Sequence, residues 1–84
     1  MTIKIKMPSL SPEMKSGVLC EWKAGVGDTV KSGDVIFEIE TDKVVNQIEA
    51  AADMKITEIC AEEGDEVEVG STVALAEVDE YAAL

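Results

Sequence analysis

An all-β fold, a small sandwich or barrel with internal two-fold symmetry, is what this sequence predicts, and three observations carry the prediction. Short β-type runs recur at near-regular spacing between Gly/Asp clusters, and helical periodicity never holds for more than a turn or two. The chain also resembles itself at a shift of 37 residues, so that Gly27, Asp28, Val30 and Gly33 fall on Gly64, Asp65, Val67 and Gly70. Finally, one Trp, one Phe and one Tyr leave the core to Val, Ile, Leu and Ala, which suit strands. With 84 residues there is room for one domain and one modest core.

The elements follow in chain order. "TIKIKM" alternates Ile3 and Ile5 with Lys4 and Lys6, the period of a half-buried strand. "PSLSPEMKSG" holds two prolines, three serines and a glycine, and reads as a loop. "VLCEWKA", "DTVKSGDVIFEIET", "VVNQIEA", "KITEICAE" and "STVALAEV" are the remaining strand runs, although the alternation breaks at Val35, Ile36 and Phe37 and leaves their faces unassigned. Each copy of the repeat contains G-D-x-V-x-x-G, "GDTVKSG" and "GDEVEVG". Gly-Asp favours a turn because glycine tolerates positive φ and aspartate bonds nearby amides. The overlay continues through Leu19/Ile56, Glu21/Glu58, Ile36/Val73, Glu40/Glu77 and Asp42/Asp79. Two copies are too few for a solenoid, so a closed pair is the natural outcome.

Charge and composition exclude several functions. The formal net charge is −11, from 18 acidic residues against seven lysines, with no arginine and no histidine. Arginine forks for phosphate and histidine for acid/base chemistry are therefore missing. An acidic surface repels nucleic acid and anionic membranes, and no stretch approaches the roughly 20 apolar residues of a span. The domain is expected to be monomeric, and the lack of an apolar leader core points to the cytoplasm first and an organelle matrix second. Cys20 and Cys60 form no CxxC and have no histidine partner, which disfavours zinc and leaves two reduced structural thiols.

At the join of the two copies, "IETDKVVNQIEA" reverses direction at Asp42 and Lys43, and the corresponding second-copy residues are Asp79 and Glu80. The acid is kept and the lysine is not. Either Lys43 is a solvated turn residue or the turn exists to present it.

"MPSLSPEMKSG", "GDTVKSGDVIFEIETDKV" and "EEGDEVEVG" together resemble the lipoyl domain of the acyltransferase component of 2-oxo acid dehydrogenase complexes, over about residues 3 to 79. The resemblance implies a flattened barrel of two four-stranded antiparallel sheets, a lipoyl-type domain over 1–79 and a tail over 80–84. It also implies that Lys43 receives lipoic acid through an amide, with Asp42 and Val44 flanking it for recognition. Modification would move the formal charge from −11 to −12. The implied partners are a lipoate ligase or octanoyl/lipoyl transferase, a thiamine-dependent decarboxylase, an acyltransferase core and dihydrolipoamide dehydrogenase. The domain would be a carrier and not a catalyst.

Further implied is a role for the first loop, Ser9, Leu10, Ser11, Pro12 and Glu13, in partner recognition, with plain connector as the alternative. Glu40 stands equally between recognition carboxylate and solvated strand face. A biotinyl carrier would frame the lysine as M-K-M, which Asp42-Lys43-Val44 does not. An unmodified interaction module of the same shape is the reading from another class. Related domains place a proline where Ala51 stands and a glycine where Met54 stands, and Met54 also overlays Gly17, so the expectation is either a strained positive φ at Met54 or a turn of changed shape there. On that view Met54→Gly would keep or raise stability.

Overall fold

The computed structural model describes residues 1–78. Asp79 and Glu80, and the tail assigned to 80–84, lie outside the described residues. Eight strands form in order: β1 Thr2–Lys6, β2 Ser16–Trp22, β3 Thr29–Val30, β4 Val35–Thr41, β5 Val44–Glu49, β6 Met54–Ile59, β7 Glu66–Glu68 and β8 Thr72–Glu77. They make two four-stranded antiparallel sheets, β1-β8-β6-β3 and β5-β4-β2-β7. The all-β, two-sheet fold is thus as the sequence predicts. The single run "DTVKSGDVIFEIET" divides into β3 and β4, and β7 lies inside a motif that reads as turn alone.

The internal symmetry is carried by the backbone. Gly27 N–H donates to Ile56 O at 2.7 Å, and Gly64 N–H to Leu19 O at 2.7 Å. Lys23 N–H to Ile36 O and Cys60 N–H to Val73 O, both 2.8 Å, repeat the correspondence. Each sheet is stapled to a turn of the other half, so neither copy completes its bonding alone. The turn aspartates act alike: Asp28 accepts the Gly25 amide at 2.8 Å and Asp65 the Glu62 amide at 3.0 Å. Gly27, Gly33, Gly64 and Gly70 all have φ between 90° and 96°, a region closed to most side chains.

Bulges explain the broken alternation. The register of β4 against β5 shifts between Val35 and Phe37, so Ile36 and Phe37 both point inward, at 2% and 0% exposure. The register of β1 against β8 shifts in the same way across Val73, the residue 37 positions on. A second pair of shifts falls at Cys20 and Thr57. Between the sheets lie Met7, Leu19, Ile36, Phe37, Ile39, Ile56 and Val73, almost wholly buried, each contributing about 1.5–3 kcal/mol by leaving water. Trp22 tilts against Phe37 at 5.1 Å and donates its indole N–H to Ala61 O at 2.9 Å.

Two sequence expectations change. Met54 does not have a positive φ; it opens β6 opposite Val30, is 5% exposed and belongs to the core. Nor does Gly17 have one. Space is the reason for glycine there, because a Cβ on Gly17 would stand 3.1 Å from Met14 Cε and 3.4 Å from Met7 Sδ. The expected benefit of Met54→Gly is withdrawn, since it would empty a filled core position.

The symmetry also exposes an insertion. Gly33 donates to Ala50 O as Gly70 does to Met7 O, which matches residues 43 apart across the first loop, against 37 elsewhere. Counted between equivalent positions, the path from Met7 to Gly17 is therefore six residues longer than the path from Ala50 to Met54.

Candidate functional site

Thr41 pairs with Val44 at the end of the β4–β5 ladder, leaving a loop of just Asp42 and Lys43. Their φ values are 52° and 64°. Two left-handed residues make a type I′ turn, whose twist matches that of the flanking strands but which ordinarily favours Asn-Gly. Aspartate tolerates the conformation through its short polar side chain, whereas lysine has no such relief and costs roughly 1–2 kcal/mol relative to a right-handed geometry. Lys43 is the only lysine among the described residues with positive φ. Local strain concentrated on one exposed cation is a feature that function, more readily than stability, accounts for.

The Lys43 side chain is exposed and pairs with no carboxylate among the described residues. Val44 and Val45 beside it are 57% and 52% exposed. Such an arrangement offers a free amine on a rigid, partly apolar tip. Its reach is outward.

The other predicted residues divide. The first loop comes to the hairpin, and a cleft of about 260 Å³ between them is lined by Glu13, Met14, Lys15, Ser16, Thr41 and Asp42. Glu13 is thus beside the tip, while Leu10, Ser11 and Pro12 are exposed and do not line the cleft. Glu40 lies exposed on β4, between Val18 and Val45 in register. Met14, Lys15, Ser16 and Thr41 escaped the sequence reading. The signal that could have revealed Met14 is the six-residue excess of its loop.

Elsewhere the site is bland. Cys20 and Cys60 are free. Burial, followed by the Glu40 and Glu38 carboxylates, pushes the Cys20 thiol above its ordinary value, which disfavours the thiolate. No group of three or more Cys, Asp or Glu among the described residues is arranged to hold a metal ion, and no helix is long and apolar enough to cross a membrane.

Comparisons with known proteins bear on this geometry. A family described as "Biotin-requiring enzyme" matches residues 3–75. The dihydrolipoyllysine-residue acetyltransferase component of the pyruvate dehydrogenase complex of Zymomonas mobilis is 44% identical over 76 residues, covering 89% of this chain and 17% of that protein. The pyruvate dehydrogenase E1 component subunit beta of Rhizobium meliloti is 43% identical over 84 residues, 99% of this chain and 18% of that protein. The chain therefore spans about a sixth of the length of these curated relatives. Among solved structures, the lipoyl domain of the 2-oxoglutarate dehydrogenase complex from Azotobacter vinelandii superposes with a TM-score of 0.76 at 37% identity, covering 90% of this chain and 96% of that one.

Proposed function

The chain belongs to the biotin/lipoyl attachment family as a lipoyl domain of the acyltransferase type, and from that membership we propose that Lys43 is its attachment point for lipoic acid. One observation carries the assignment: Lys43 is the single lysine held in a strained two-residue hairpin loop, exposed and free of ion pairs among the described residues.

The residues present fit the group. Attachment needs the ammonium to give up one proton so that the neutral ε-amine can attack an activated acyl carbon; the amide C–N bond forms, the activating group leaves, a second proton is lost, and the uncharged amide keeps one N–H. Among the described residues no carboxylate competes for that nitrogen in a salt bridge. The type I′ turn fixes the lysine backbone, so a modifying enzyme meets one geometry and not an ensemble. When attached, the dithiolane supplies acyl carriage and two-electron redox chemistry that no side chain here can. The protein's part is to hold the arm's root at a rigid tip, with Asp42 and Val44 flanking it for recognition.

The partners proposed are a lipoate ligase or octanoyl/lipoyl transferase for attachment, then a thiamine-dependent decarboxylase, an acyltransferase core and dihydrolipoamide dehydrogenase. Tethering keeps the arm at high effective concentration for each of them. Pyruvate-type chemistry is favoured by the likeness to pyruvate dehydrogenase components. Cytoplasmic residence, with the mitochondrial matrix second, completes the proposal.

Intact mass after co-expression with a lipoate ligase tests it. One lipoyl-sized increment in the wild type, absent from Lys43→Ala, is expected. A biotin-sized increment under co-expression with a biotin ligase, or lipoylation that survives the substitution, overturns the assignment.

A further inference from the structure

Glycine weakens a strand interior, so Gly17 in the middle of the β5-β4-β2-β7 sheet needs a reason, and its φ does not supply one. What stands in place of a side chain at 17 is the methyl of Met14, together with the sulfur of Met7. In the other half the equivalent position is Met54, which fills the corresponding space from the strand itself. Each half thus closes this part of the core with a methionine. In the second half the methionine belongs to the sheet; in the first it belongs to the inserted loop.

Met14 is tied both to the core and to its own loop. It packs against the core, its amide donates to Ser11 O at 3.2 Å, and its sulfur accepts the Leu10 N–H at 3.3 Å. Ser9 Oγ bonds the same Ser11 carbonyl at 2.8 Å, which draws the loop tip into one small knot. Met14 also lines the cleft with Thr41 and Asp42, next to Lys43.

We infer that Met14 is a positioning residue: seated in the hollow that Gly17 leaves, it latches the inserted loop to the lysine hairpin, so that a partner enzyme meets loop and lysine as one preset surface. The inference deepens the lipoyl reading and rests on it for its functional part. A latch made from a flexible thioether over a glycine fixes position without a buried polar group. Truncating it would leave the hairpin intact and release the loop.

The experiment uses Met14→Ala, Met14→Leu and Gly17→Ala. Amide hydrogen exchange across residues 9–14 is followed first, on the unmodified domain. Met14→Ala is expected to lose the protection of the Met14 amide while strands β4 and β5 keep theirs, and Met14→Leu, which retains the packing, to keep most of it. Gly17→Ala, which keeps Met14 but presses on its methyl, should loosen the loop less, and it serves if Met14→Ala does not fold.

The lipoylated forms are then offered to the thiamine-dependent decarboxylase of a bacterial pyruvate dehydrogenase complex with pyruvate. Met14→Ala should lower kcat/KM for reductive acetylation by about tenfold, the scale of a displaced recognition element, with ligase modification within about twofold of wild type. Recovery in Met14→Leu separates positioning from general damage. Unchanged exchange in both Met14→Ala and Gly17→Ala, or a freed loop with undiminished acetylation, overturns the inference. Exchange needs no lipoyl group, so the latch and the lipoyl assignment fail separately.

Discussion

The two copies of the repeat share their turns, bulges and cross-sheet hydrogen bonds, yet they part at three places: the β4–β5 tip, the loop before β2, and the Gly17/Met54 pair. On the first copy's side, all three gather at one end of the β5-β4-β2-β7 sheet. What the halves hold in common makes the scaffold, and what they do not share makes the candidate site. A duplicated framework can carry an asymmetric function because its stability is distributed over features that both copies supply.

The strongest way to break that comparison is to force the halves to match. Met54→Gly copies the first half into the second without supplying a loop methionine, and should cost about 3–5 kcal/mol from the emptied core position plus the strand glycine. Urea unfolding measures it; a neutral result would mean that the Met54 side chain is dispensable. Next come Leu19→Ala and Ile56→Ala, at equivalent and fully buried positions. Each should lose about 3 kcal/mol, and a large inequality would show that one half bears most of the load.

A smaller effect isolates the tip. Lys43→Gly and Lys43→Ala both remove the amine, but only glycine accepts φ near 64° freely. The glycine variant should be the more stable by about 1 kcal/mol in a melt, and equal stabilities would remove strain from the account of the turn.

The smallest effect lies at the equivalent of Glu40 in the other half. Glu77 accepts a hydrogen bond from the Thr2 hydroxyl and another from the Met1 amino group at 3.3 Å, in that order of importance, and both hold its carboxyl below the usual range. Glu40 has Val45 across from it in place of Thr2. With a folded pKa below the unfolded one, Glu77 contributes stability above the ordinary carboxylate pKa and loses it as pH falls through the lowered value. Thr2→Val should flatten the acid side of the stability curve, and an unaltered slope would disprove the contribution.

Much of this was legible because turn chemistry and two-residue alternation are local. Gly-Asp pairs mark the turns, and Ile3/Ile5 against Lys4/Lys6 fixes the faces of β1. β3 and β7, at two and three residues, are too short to show a period, so β3 merges with β4 into one run and β7 is hidden in its turn motif. Ile36 and Phe37 defeated alternation because a bulge turns consecutive side chains inward. Met54 is less legible for a subtler reason: a glycine in one copy suggests either a positive φ or a need for room, and only the fold shows that the need is for room. Lys43 stood out through its absence from the second copy. Met14 did not, because its importance depends on what it touches across the fold.

The second copy has no closed tip among the described residues. Where Asp42 and Lys43 join β4 to β5, the matching place is the pair Met1 and Val78, bonded to each other at 3.0 and 2.9 Å. Force applied between these two residues would pull antiparallel neighbours apart from the same end. That is the geometry of a zipper, in which bonds break one after another, and not of a shear joint, in which they resist together. Tension would therefore open β1 from β8 first and at low load, while the Lys43 hairpin, on the opposite sheet, stays outside the path of the force. Mechanical compliance and the rigid tip are assigned to different sheets.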